Sequence, residues 1–106
     1  MNRYMRLLVL FDLPVITEKE RKTYQKFRNF LLKDGYIMMQ YSVYSRICKN
    51  NDDCDKHIKR LKLNLPKKGN IRLLQITENQ YDNMLMLCGE KHEEETYSVS
   101  PMIIIE

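Results

Sequence analysis

The order of its segments constrains this chain more than any other feature. Two amphipathic helical stretches each lie between runs that read as strands. Leu7, Leu8, Val9, Leu10 and Phe11 are consecutively apolar, so a strand over Tyr4 to Phe11 presents apolar groups to both faces and belongs inside a sheet. Asp12, Leu13 and Pro14 end it. Thr17 then opens a helix with a T-x-x-E capping box closed by Glu20. Tyr24, Phe27 and Leu31 follow helical spacing as its buried face, and Gly35 stands where a left-handed cap belongs. The spacing predicts this helix over about Glu18 to Asp34.

Tyr36 to Cys48 is rich in strand formers but too long for one typical strand. Polarity places the break at Gln40 to Ser42. Asn51, Asp52 or Asp53 is expected to cap a second helix, on which Cys54, Ile58, Leu61 and Leu65 form an apolar stripe. Pro66, Lys67, Lys68 and Gly69 stop it. Ile71 to Thr77 reads as a strand, Glu78 to Asn83 as a turn or short helix, and Met84 to Cys88 as a further strand. The order is β-α-β-β-α-β with extras. That predicts an α+β, ferredoxin-like fold in which two helices cover one face of an antiparallel sheet. The other face is apolar or aromatic, so a second copy of the chain is its expected cover, giving a homodimer. Residues 1–89 are read as the folded domain. Residues 90–106 are read as an acidic linker ending in a C-terminal strand, Met102 to Ile105, that pairs with a sheet edge.

Composition matters next through charge. Among 106 residues, 18 are Lys or Arg and 14 are Asp or Glu. Glu90, Glu93, Glu94, Glu95 and Glu106 against Lys91 give residues 89–106 a net charge of −4, which leaves +8 on residues 1–88. A basic body of that size suits a polyanion, because each neutralised phosphate releases counterions. A solubilising surface is the competing explanation. No apolar run approaches the roughly 18 residues of a membrane span. The odd cysteine count and lack of an export signal point to reduced thiols and a cytoplasmic home.

Few side chains are placed for chemistry. Asp12 follows a strand end, where a carboxylate can hold magnesium; a second copy across a dimer axis would complete the site and activate water toward a phosphodiester. The plainer role is a turn-former. Ser42 and Ser45 have no visible base beside them, so bonds to phosphate or to the sheet are expected. His57 and His92 read as surface residues. The spacing of Cys48, Cys54 and His57 is unlike a zinc pair, and Cys54 and Cys88 read as small buried hydrophobes. On the first helix Lys19, Lys22, Lys26 and Lys33 share one face, and Arg21 and Arg28 share another that suits phosphate or carboxylate.

Several ordered blocks resemble the small CRISPR-associated spacer-acquisition family, Cas-two, in its type II branch. They are Met5 to Pro14, Glu20 to Leu31, Gln40-Tyr41-Ser42-Val43-Tyr44-Ser45-Arg46, Pro66 to Ile71 and Thr77-Glu78-Asn79-Gln80-Tyr81. The resemblance implies a ferredoxin-like homodimer in which Asp12 is the metal-associated, catalytic aspartate and magnesium the cofactor. It implies a magnesium-dependent endonuclease and a bridge between dimers of an integrase partner, Cas-one, that supports double-stranded DNA; RNA is the other polymer. Lys19, Arg21, Lys22 and Arg28 match the family's basic helix start and are the expected nucleic-acid contacts. A non-catalytic nucleic-acid-binding scaffold, a toxin-type endoribonuclease and a purely structural dimer are the alternatives.

Overall fold

The computed structural model describes residues 4–89. The expected tail, with His92 and the strand at Met102 to Ile105, lies outside the described residues. The elements run β1 (Met5–Asp12), α1 (Glu18–Lys33), β2 (Ile37–Gln40), β3 (Val43–Cys48), α2 (Asn51–Lys62), β4 (Asn70–Thr77) and α3 (Glu78–Asp82). The strands form one antiparallel sheet in the order β2-β3-β1-β4. The α+β expectation holds, and the doubly apolar run at Leu7 to Phe11 lies on a central strand.

Alternation along β1 divides the sheet's two faces. Leu7, Val9 and Phe11 join Tyr44 and Cys48 of β3 with Phe27 and Leu31 of α1 and Cys54 and Leu61 of α2 in one buried cluster. Phe11 meets Phe27 edge-on at 5.2 Å and stacks on Tyr44 at 5.6 Å between ring centroids. Arg6, Leu8, Leu10 and Asp12 therefore take the opposite face. In register with them are Ile47, Ser45 and Val43 of β3 and Ile76, Leu74, Arg72 and Asn70 of β4. Helices α1 and α2 leave this face uncovered, as expected, but α3 covers one end of it. Arg6 and Glu78 are buried there as an ion pair at 3.0 Å, and the Arg6 guanidinium lies 4.0 Å from the centre of the Tyr81 ring. Leu10, Ile47 and Leu74 stay exposed.

Helix α1 ends close to where the sequence places it, and both ends of α2 shift. The Thr17 hydroxyl accepts from the Glu20 N–H, and the Glu20 carboxylate accepts from the Thr17 N–H, so the capping box forms as read. Gly35 takes φ +93° just beyond Asp34. The second helix is capped by Asn50, not by Asn51, Asp52 or Asp53. The Asn50 side chain accepts from the Asp53 N–H at 2.9 Å, while Asp53 turns back to accept from the Lys49 N–H. Helix α2 also ends at Lys62, which leaves Leu65 outside the apolar stripe and half exposed.

His57 is buried rather than on the surface. Its Nδ1 lies 2.9 Å from the Asp34 carboxylate, whose other oxygen accepts from Arg60 at 2.9 Å, while Arg46 donates to the Asp34 carbonyl at 2.7 Å. The last turn of α1 is thereby tied to both α2 and β3. Cys88, expected inside, is exposed. Between Met84 and Cys88 there is a single bridge residue, Met86, instead of a strand.

Candidate functional site

Asp12 is the last residue of β1. The strand positions flanking it are fixed. The Phe11 N–H donates to the Ser42 carbonyl at 3.0 Å, which ties the end of β1 to the β2–β3 hairpin tip. Leu13, one residue on, is buried as a plug at the edge of the core. On the other side Asp12 pairs in register with Asn70. The carboxylate itself is exposed and, among the described residues, has no hydrogen-bond or ion-pair partner. Its four acceptor positions are therefore open to a hard cation or to water.

Gly69 sets the backbone around it. A Cβ at this position would stand 2.6 Å from the Asp12 carbonyl oxygen and 2.5 Å from a Leu13 methyl, and the residue has φ +95°. Only glycine allows that approach. Gly69→Ala should lower stability by about 1–3 kcal/mol through this overpacking and reduce any activity that depends on Asp12. Urea denaturation measures the first effect, and an unchanged midpoint would show that the loop yields without cost.

The same loop closes a groove of about 750 Å³ between α1 and residues 63–68. Lys19, Lys26 and Lys33 recur every two turns along its α1 wall, and Lys67 and Lys68 supply the opposite wall. Leu13, Phe27 and Phe30 line it between them. One end of this cationic trough therefore abuts the strand end that carries Asp12.

Of the cations expected to meet nucleic acid, Lys19 lines the groove. Arg21 donates to the Val15 and Ile16 carbonyls at 3.2 and 2.6 Å and braces the loop before its own helix. Lys22 faces Glu18 at 3.6 Å in a fully solvated pair worth little. Arg28 is half-buried and outside the groove lining. The groove's second wall was not legible as such, since Lys68 lies 49 positions from Lys19. Arg72 was also missed. It shares the Asp12 face two residues along β4 from Asn70, and strand alternation is the signal that would have found it.

Nucleophilic alternatives are weak. Ser45 is wholly buried and its hydroxyl has no partner among the described residues, so it does not reach out to phosphate. Burial pushes the Cys48 thiol up to about 12, and it raises Cys54 too, so neither is a thiolate near neutrality. Among the described residues no three His, Cys, Asp or Glu side chains gather as a metal cage. The described helices include none long and apolar enough to cross a membrane.

An antiparallel sheet backed by helices, with an exposed carboxylate at a central strand end and a lysine-walled groove whose lining begins at the next residue, Leu13, defines a small α+β domain with a basic groove. Residues 5–84 match the family model for CRISPR associated protein Cas2, and the chain belongs to that family. A CRISPR-associated endoribonuclease Cas2 of Acidovorax ebreus is 51% identical over 85 residues, 80% of this chain and 83% of that protein. The protein of the same name in Streptococcus mutans serotype c (strain UA159) is 48% identical over 101 residues, 95% of this chain and 93% of the relative. A solved structure described as a crystal structure of cas2 superposes with a TM-score of 0.58 at 19% identity, covering 95% of this chain and 99% of the other, and so supports the fold.

Proposed function

We propose that this chain is a ferredoxin-like homodimer that holds nucleic acid in CRISPR spacer acquisition, bridges the integrase partner Cas-one, and hydrolyses phosphodiesters with magnesium. One observation carries the reading: an exposed Asp12, unpartnered among the described residues, at a braced strand end whose next residues, Leu13 and Pro14, line a groove walled by five lysines. The relatives' shared name, endoribonuclease, favours cleavage over a purely structural role.

The residues fit magnesium in a particular way. A single protomer offers one carboxylate, too few for a cage, but magnesium keeps most of its waters and is commonly held by one or two carboxylates. Asp12 from each of two copies would supply that pair. When bound, the ion lowers the pKa of a coordinated water and neutralises charge on a phosphate oxygen. The chain's own parts do the rest. Lys19, Lys26, Lys67 and Lys68 hold the backbone as point charges, and Arg72 offers a planar fork to non-bridging oxygens on the Asp12 face. Hydrolysis joins a water oxygen to phosphorus, breaks the bond to one sugar oxygen, and passes the water's proton to that leaving oxygen or to solvent.

Binding of duplex DNA should weaken about 1000-fold between roughly 50 and 200 mM salt. Lys67→Ala and Lys68→Ala should each flatten the salt slope by about one unit per lost phosphate contact. Fluorescence anisotropy of a labelled duplex measures both, and a salt-independent affinity contradicts the reading. The adaptation role is tested by co-purification with Cas-one, followed by spacer integration with wild type and Asp12→Ala. A chain that neither binds Cas-one nor supports integration is not an adaptation subunit, and RNA cleavage in its place would favour the toxin-type endoribonuclease.

A further inference from the structure

We propose that Tyr41 is a stacking platform for an unpaired base of the strand held at Asp12, and so a specificity-determining residue of that site. The inference rests on the nucleic-acid reading above and adds to it the residue that grips a base instead of the backbone.

The hairpin between β2 and β3 turns through Tyr41 and Ser42, with Gln40 and Val43 as the last paired residues. Tyr36, Tyr44 and Tyr81 are buried in this molecule, but Tyr41 is 87% exposed. A large aromatic ring is here held in water at a turn tip, where it can offer a face to a ligand. The tip is also built unusually. Among the described non-glycine residues only Ser42 has a positive φ, 65°, in a position where Gly, Asn or Asp would sit without strain. Strand β2 slips register between Met38 and Gln40, an irregularity of the kind that re-aims side chains at the rim of a site. Strain kept at a turn is a pointer to function when it is found first and explained second.

Position supplies the ligand. The Ser42 carbonyl accepts from Phe11, so the tip is bonded to β1 one residue before Asp12. Lysines on the other side of that strand end hold a sugar–phosphate backbone without reading bases. A π-face on a tip bonded to β1 one residue before Asp12 adds what they lack, since any base can stack on it but only if it is unpaired. A duplex keeps its bases stacked on one another and gains nothing from the ring.

The test compares wild type, Tyr41→Phe, Tyr41→Ala and Tyr41→Leu in metal-free buffer. The probes are single-stranded RNA and single-stranded DNA of one sequence containing 2-aminopurine, and a matched duplex. Stacking predicts quenched 2-aminopurine fluorescence on wild type and Tyr41→Phe. It predicts a loss of about 5- to 150-fold in single-strand affinity for Tyr41→Ala, with Tyr41→Leu close to it and duplex affinity unchanged. Equal losses on RNA and DNA assign the contact to the base, a larger loss on RNA than on DNA adds a contact to the 2′-hydroxyl, and a loss on RNA alone overturns base stacking. Tyr41→Ala binding single strands as wild type does overturns the proposal while leaving the nucleic-acid reading intact. Parallel losses on duplex and single strand, or a change in solution mass on Tyr41→Ala, overturn it in favour of a structural or dimer-contact role. A wild-type chain that binds none of the probes at low salt overturns both.

Discussion

Asp12→Asn is expected to reduce magnesium-dependent cleavage by about 10²–10⁴-fold, the range lost with a positioned catalytic group, while leaving nucleic-acid affinity within about threefold in metal-free buffer. The two halves of this expectation have separate causes. The carboxylate is exposed and has no partner within the described residues, so exchanging one oxygen for an amide breaks no contact of the fold. Its backbone is fixed by Gly69, and its neighbours by the Phe11 bond and the Leu13 plug; none of these depends on the side chain. On the proposed reading, affinity resides in lysines that line a groove of which Asp12 is no part. What the variant loses is a hard anionic oxygen, and the amide replaces it poorly at a magnesium ion. Cleavage of a labelled oligonucleotide across a magnesium titration, beside anisotropy without metal, reads both. Wild-type cleavage by a thoroughly purified Asp12→Asn protein would remove the carboxylate from the chemistry. Loss of binding in step with cleavage would show that Asp12 shapes the groove instead.

Local chemistry made the elements legible. Thr17 and Glu20 announce a capping box three residues apart, and both of its bonds form. The break in the long β-rich stretch was placed by polarity at Gln40 to Ser42, and the chain turns at Tyr41 and Ser42. Five consecutive apolar residues belong to a strand flanked on both sides, and β1 is that strand. The errors share a different origin. Asn50 and Asn51 have equal capping chemistry, and one residue of register separates them. His57 looked like a surface residue because its partners, Asp34 and Arg60, belong to a cluster that forms only when α2 packs on the end of α1. Cys88 was read as buried from residue type alone, and type says nothing about what packs above it. The groove was invisible for the same reason: a lysine face on a helix looks solvated until the fold brings a second basic wall to it. Asp12 could be singled out because its significance is local, at the end of a strand before a proline. Arg72 was harder to see, because alternation assigns it to one face of β4 and only cross-strand register sets that face beside Asp12.

The largest effect on stability belongs to a contact outside the groove. Arg6 and Glu78 are 72 positions apart, each about 6% exposed, and Arg6 Nε lies 3.0 and 3.1 Å from the two carboxylate oxygens. The guanidinium also lies over Tyr81, so one side chain fastens α3 to the open face of β1 by charge and by its flat surface. Removing one partner strands the other charge in a place water does not reach. Glu78→Gln or Arg6→Met alone should therefore cost about 3–5 kcal/mol, a large part of the roughly 5–15 kcal/mol that holds a domain together. The pair itself need not be a net gain, because its attraction competes with two desolvation penalties. Arg6→Met combined with Glu78→Met should recover to within about 1–2 kcal/mol of wild type. Urea midpoints at one protomer concentration give all four values, and the double-mutant cycle isolates the coupling. Additive single losses would mean that α3 is held by Tyr81 and the Glu78 N–H bond to the Tyr4 carbonyl, with the charges incidental. A strong coupling would make Arg6 the reason this face is only partly open, with Leu10, Ile47 and Leu74 as the apolar surface that stays exposed on it.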